Sequence, residues 1–88
     1  MELEQLRIFI AVAETGSFTK AAKRLFVSHS TTSRAVTALE EKLGIRLLDR
    51  DNRVLGLTDA GRALLPRARE LVSLADSIEN EFESMKNT

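Results

Sequence analysis

Residues 16–44 read GSFTKAAKRLFVSHSTTSRAVTALEEKLG, and this stretch decides the fold. Ser17 and Ser28 each stand where a side-chain oxygen can accept from the free backbone amides that open a helix. After Ser17 the apolar residues Phe18, Ala21, Ala22 and Leu25 fall on one side of a helix of about two turns, and the pattern stops at Phe26-Val27. After Ser28 the stripe Val36, Leu39 and Leu43 predicts a longer helix over about 29–43, closed by Gly44. Two short helices joined by a tight turn, with small Ala21 and Ala22 allowing a close crossing, make a helix-turn-helix pattern. An ordinary helical bundle fits that spacing equally well, so the flanks must arbitrate.

Upstream, Leu3, Leu6, Phe9, Ile10 and Ala13 recur at helical spacing and predict a first helix over about 3–14, with Gly16 as its C-terminal cap. Downstream, Leu47-Leu48-Asp49-Arg50 and Arg53-Val54-Leu55-Gly56-Leu57 flank the turn-forming pair Asp51-Asn52 and read as a two-stranded hairpin, the wing. Thr58 caps a last helix, and Asp59 puts a negative charge in its first turn, where the dipole favours one. Leu57, Gly61, Leu64, Ala68, Leu71, Ala75, Ile78, Phe82 and Met85 then keep an unbroken four-three spacing, the pattern of a helix that packs along another helix. Such a helix would be roughly 40 Å long, more than one small core can cover. A second copy is therefore expected to cover the stripe formed by Leu64, Ala68, Leu71, Ala75, Ile78 and Phe82. Pro66 lacks the donor for the carbonyl of Arg62, so it should bend or loosen the helix there and shift the paired stripe mainly beyond it. The fold expected is mainly α: a winged helix-turn-helix of three helices and a two-stranded β wing over residues 1–57, then a long dimerisation helix over 58–86.

With 43% hydrophobic and 30% charged residues in 88, the chain suits one small core and lacks the apolar depletion of a disordered segment. Chains of this size are marginally stable alone, which favours pairing through any leftover apolar stripe. The absence of cysteine excludes disulfides and thiolate metal sites and suits a reducing cytoplasm. Met1-Glu2-Leu3-Glu4 is not a secretory leader, and no apolar run approaches the roughly 20 residues of a membrane helix, so a cytoplasmic location is expected. The net charge is zero, yet it is unevenly spread. Residues 1–16 and 58–88 each carry −2, while residues 17–57 carry +4 through Lys20, Lys23, Arg24, Arg34, Lys42, Arg46, Arg50 and Arg53 against Glu40, Glu41, Asp49 and Asp51. A local field of this kind can attract phosphate although the whole chain is neutral.

From residue 1 to about 85 the chain resembles the N-terminal part of LysR-type transcriptional regulators. The resemblance rests on Leu3-Glu4-Gln5-Leu6 with Phe9, Gly16-Ser17-Phe18-Thr19, Ala21-Ala22, Leu25, Val27-Ser28, Ser33-Arg34 and Leu39-Glu40-Glu41-Lys42-Leu43-Gly44. Leu47-Leu48-Asp49-Arg50 and Leu57-Thr58-Asp59-Ala60-Gly61 extend it in the same order and spacing. It implies a winged helix-turn-helix with a linker helix that pairs antiparallel in a homodimer, acting on transcription at palindromic double-stranded DNA, with no cofactor. The family usually carries Gln-Pro where this chain has His29-Ser30, and Leu or Val in place of Thr32. The first departure bears on base preference. The second weakens the buried face of the third helix unless the Thr32 methyl packs while its hydroxyl bonds back to a carbonyl. Family members continue into an effector-binding domain, so this chain is expected to be a fragment that binds DNA and has no effector site.

In that arrangement the third helix enters the major groove by its N-terminal end. His29, Ser30, Thr31, Ser33, Arg34 and Thr37 lie off the buried stripe: His29, Ser30 and Arg34 are assigned to bases, Thr31 and Ser33 to phosphate. Arg53 at the wing tip suits the minor groove, and Arg50 at its base suits phosphate unless one of them only pairs with Asp49 or Asp51. Ser17, Thr19 and Lys20 open the second helix, whose N-terminus can receive a phosphate, although Ser17 fits a plain cap equally well. Catalysis finds little support: His29 is the only histidine and no motif has metal-ligand spacing. Glu40-Glu41 reads as a helix surface pairing with Lys42 and Lys23 rather than an acid/base pair. The competing reading is a winged-helix module used only for protein association, against which the basic middle segment speaks.

Overall fold

The computed structural model describes residues 1–50 and 55–86, and its elements run α1 (Leu3–Thr15), α2 (Phe18–Leu25), α3 (His29–Leu43), β1 (Leu48–Asp49), β2 (Gly56–Leu57) and α4 (Asp59–Lys86). Each helix begins and ends for a local reason. Glu2 N–H donates to Gln5 Oε1 at 3.1 Å before α1, Ser17 Oγ accepts from Lys20 N at 3.1 Å before α2, and Ser28 Oγ accepts from Thr31 N at 3.1 Å before α3. Gly16 (φ 69°) and Gly44 (φ 71°) close α1 and α3 in the left-handed conformation that a side chain disfavours. Phe26 closes α2 in the same conformation (φ 58°) with its ring 95% exposed.

Leu6, Ile8, Phe9, Ala11 and Val12 make α1 the centre of the core, against Ala21 of α2, Val36 and Leu39 of α3, Leu47 and Leu48 at the wing and Ala68 of α4. β1 and β2 pair antiparallel, Leu48 opposite Leu57 and Asp49 opposite Gly56, as the hairpin reading requires. Its proposed turn, Asp51-Asn52, lies outside the described residues. Thr58 ties α4 to this hairpin: its backbone N–H donates to Leu47 O at 3.0 Å, its hydroxyl donates to Arg46 O at 2.6 Å, and the same oxygen accepts from Gly61 N at 3.1 Å. The approach is so close that a Cβ on Gly61 would collide with the carbonyl oxygen of Leu47. Thr32 is fully buried with its hydroxyl donating to Ser28 O at 3.0 Å, so the family departure is accommodated by back-bonding to the preceding turn.

The expected stripe on α4 is corrected in one respect. Ala68, placed on the dimer face by its spacing, is 0% exposed and belongs to the core of its own chain, and Leu64 packs against that core too. A helix turns 3.6 residues per cycle while the apolar spacing averages 3.5, so the stripe drifts round the helix and its early members face inward. Leu71, Leu74, Ile78, Phe82 and Met85 are each 44–58% exposed. α4 itself runs unbroken through Pro66. Ion pairs hold its middle to α1 and α2: Arg7 to Asp76 at 2.6 Å, and Arg69 and Arg24 to Glu14 at 2.9 and 2.6 Å. The hydrogen bonds from Arg69 and Arg24 lower the Glu14 pKa, the one from Arg7 lowers that of Asp76, and Asp76 in return raises that of Arg7.

Candidate nucleic-acid interface

Three chain segments far apart in sequence meet at one place. The Phe18 ring at the first position of α2 lies 6.0 Å from the His29 ring at the first position of α3, and the Arg50 guanidinium, just after β1, sits 5.5 Å above the Phe18 ring. The two helix starts and the base of the hairpin therefore share one surface. Thr19 and Lys20 on α2, and His29, Ser30, Arg34 and Thr37 on α3, are exposed, while Ser17, Thr31 and Ser33 are half-buried. Two hydroxyls already have local work. Ser17 Oγ is the cap of α2, and Thr31 Oγ1 accepts from Ser28 Oγ at 2.8 Å. Arg53 lies outside the described residues.

Positive charge is available on α2 and α3. Among the described residues Lys20, Lys23, Arg34 and Lys42 enter no ion pair, whereas Arg46 and Arg50 both face Glu40. The amides that open α2 and α3 add their positive helix ends. No group of three metal-binding side chains occurs among the described residues, and no described helix is long and apolar enough to cross a membrane.

Two participants escaped the sequence reading. Phe18, counted there as core, is the hub between the starts of α2 and α3 and Arg50. Glu40, read as surface, is 7% exposed and bonded to the hairpin rather than to Lys42 or Lys23, which corrects that expectation. Its helical phase held the signal, since Glu40 follows Val36 by four residues and so falls on the buried side of α3.

Residues 3–62 match the model of the bacterial regulatory helix-turn-helix proteins of the LysR family. The chain belongs to the LysR family. An uncharacterised helix-turn-helix transcriptional regulator in the ibpB-leuC intergenic region of Azotobacter vinelandii is 45% identical over 85 residues, which cover 97% of this chain and 59% of that protein. Among solved structures, the complex of the CbnR DNA-binding domain with DNA has 44% identity and a TM-score of 0.88, covering 98% of this LysR-family chain and 99% of that one. The complex of the BenM DNA-binding domain with catB site 1 DNA has 39% identity and a TM-score of 0.93, covering 100% and 98%. The chain spans about three fifths of the length of the Azotobacter relative and about a quarter of that of a regulator from Pseudomonas, TcbR, to which it is 51% identical over 75 residues.

Proposed function

We propose that this LysR-family domain binds double-stranded DNA as a homodimer, sequence-specifically, and serves as the DNA-reading part of a cytoplasmic transcriptional regulator. The carrying observation is the shared surface of the α2 start, the α3 start and the hairpin base, with Lys20 on α2 and Arg34 on α3 exposed and in no ion pair among the described residues. In this reading α3 enters the major groove by its first turns, with His29, Ser30 and Arg34 on base edges and Thr37 alongside. Thr31, Ser33, Ser17, Thr19, Lys20 and Arg50 meet phosphate, and Arg53 meets the adjacent minor groove. Arg34 is the strongest candidate for base reading because its exposed guanidinium is free of ion pairs among the described residues and can make a two-pronged contact. We assign the domain no catalytic role: its only histidine is exposed at a helix start, and the flanking hydroxyls of Ser28 and Ser30 bond each other at 3.2 Å.

Pairing uses the exposed stripe Leu71, Leu74, Ile78, Phe82 and Met85. The family resemblance implies that the two copies of α4 run antiparallel.

Retention of random-sequence DNA duplexes by the purified chain across a salt series, followed by sequencing, tests this. The expected result is a palindrome whose affinity falls steeply with salt, because each neutralised phosphate releases counterions. A folded, dimeric chain that retains no duplex at low salt would leave the module with a role in protein association alone.

A further inference from the structure

Glu40 is the only charged side chain among the described residues that is buried, and it makes no contact with solvent-facing cations of α3. Its Oε2 accepts from Leu47 N at 2.8 Å and Leu48 N at 3.2 Å; its Oε1 accepts from Arg50 Nη2 at 3.2 Å; and Arg46 Nε stands 3.7 Å away. A carboxylate withdrawn from water in this way is tolerable only if its lone pairs are filled, and here backbone and guanidinium fill them. Leu47 stands just before β1 and Leu48 opens it, and Arg50 directly follows it. Arg50 in turn lies over Phe18, whose ring adjoins His29 at the start of α3. One carboxylate near the end of α3 thus fixes the hairpin to α3, and through Arg50 and Phe18 it reaches the opposite end of the same helix.

From this geometry we infer that Glu40 is a positioning residue for DNA recognition: without touching DNA, it sets the angle between the hairpin and the α3 helix and so decides which bases the hairpin side can read. The inference rests on the DNA-binding reading above. It separates two things that a bound protein needs, being folded and having its two reading elements in register. Loss of folded protein lowers the apparent affinity for every duplex by one common factor. Loss of register changes the ratio between duplexes.

The test uses the full chain and the palindrome that the unaltered protein selects from random duplexes. Two probe series are made, one varied at the inner positions of each half-site that α3 covers and one at the flanks that the hairpin covers. Glu40→Gln keeps one acceptor oxygen but turns an NH2 toward a donor, and Arg50→Ala leaves both backbone bonds of Glu40 in place. In both variants the preference among flank sequences is expected to fall about 5- to 10-fold while the preference among inner sequences changes less than about 2-fold. The double variant should lose little more than either single one, since both changes act on one link. Because a ratio is independent of the folded fraction, it is readable even where Glu40→Gln lowers the melting temperature. Unchanged flank preference in both variants overturns the inference, as does an equal fall in both series. If the unaltered protein itself selects no duplex, it is the DNA-binding reading that fails.

Discussion

At the scale of single residues, the surface depends on a few side chains whose neighbours leave them no alternative use. Arg34 is exposed and without an ion pair among the described residues, so on the proposed reading Arg34→Ala would remove a DNA contact without breaking an ion pair among those residues. Binding to the selected palindrome should weaken by about 1–3 kcal/mol, with discrimination relaxed at one position of each half-site and melting temperature unchanged. Lys20→Ala should instead weaken all sequences alike and reduce the slope of log affinity against log salt by about one per bound copy, as a lost phosphate contact does. Titration of fluorescent duplexes at several salt concentrations separates the two behaviours, and a sequence-independent effect of Arg34→Ala would return that residue to the phosphate set. Gly61 is constrained in the opposite sense. Its missing side chain lets α4 lie on the backbone of Leu47, and Gly61→Ala drives a methyl into that carbonyl. A loss of about 1–3 kcal/mol in urea unfolding is expected, with the helix start displaced from the hairpin base. Thr32 and Glu40 show how far single residues can be read from sequence. The hydroxyl of Thr32 was legible because a buried threonine on a helix has one local way to bond. For Glu40 the helical phase signalled burial but not its partners, because these are backbone amides of a later segment, and a sequence carries no mark of which amides a fold leaves unpaired.

At the scale of elements, local chemistry was enough. Serine caps, glycine stops and apolar periodicity placed α1, α2 and α3 to within a residue or two, because each signal acts within one turn of the chain. What packs on what is a non-local matter, and there the four-three spacing of α4 misled at Ala68: periodicity reveals an apolar face without saying which partner covers it. The junction of α4 with α1 and α2 also depends on charges that no spacing rule relates, Arg7 with Asp76 and Glu14 with Arg24 and Arg69. Both carboxyls have folded-state pKa values below their usual ones. Their contribution is therefore fully present above the unfolded values near pH 4 and is lost as pH falls through the lower folded values. The groups are too exposed for this to be large. Urea unfolding of the protein and of a Glu14→Gln/Asp76→Asn double variant should differ slightly at pH 7 and converge by about pH 2. A difference that persists at acid pH would mean that the two carboxyls act by packing and not by charge.

At the scale of the whole molecule, the 28 residues of α4 make the chain long, 53 Å by 24 Å by 19 Å, and its far end carries Ile78, Phe82 and Met85 half-exposed with no core beneath them. An isologous pair of antiparallel α4 helices would cover these residues on both copies at once, which makes each substitution count twice. Phe82→Glu should therefore raise the dimer dissociation constant by at least about 100-fold, from the apolar burial lost on the two copies, while leaving the monomer fold intact because Phe82 is 57% exposed there. Ala68→Glu is the contrasting case: a charge at a site that is 0% exposed should unfold the domain itself. Sedimentation equilibrium with far-ultraviolet circular dichroism distinguishes a folded monomer from an unfolded chain. On the proposed reading the dimer would also govern recognition of the palindrome, since a monomer engages one half-site and loses the linkage between the two. Phe82→Glu should accordingly bind a whole palindrome no better than a duplex with one half-site, at unchanged half-site preference. If it stays dimeric and still favours the palindrome, the stripe on α4 is not the pairing surface.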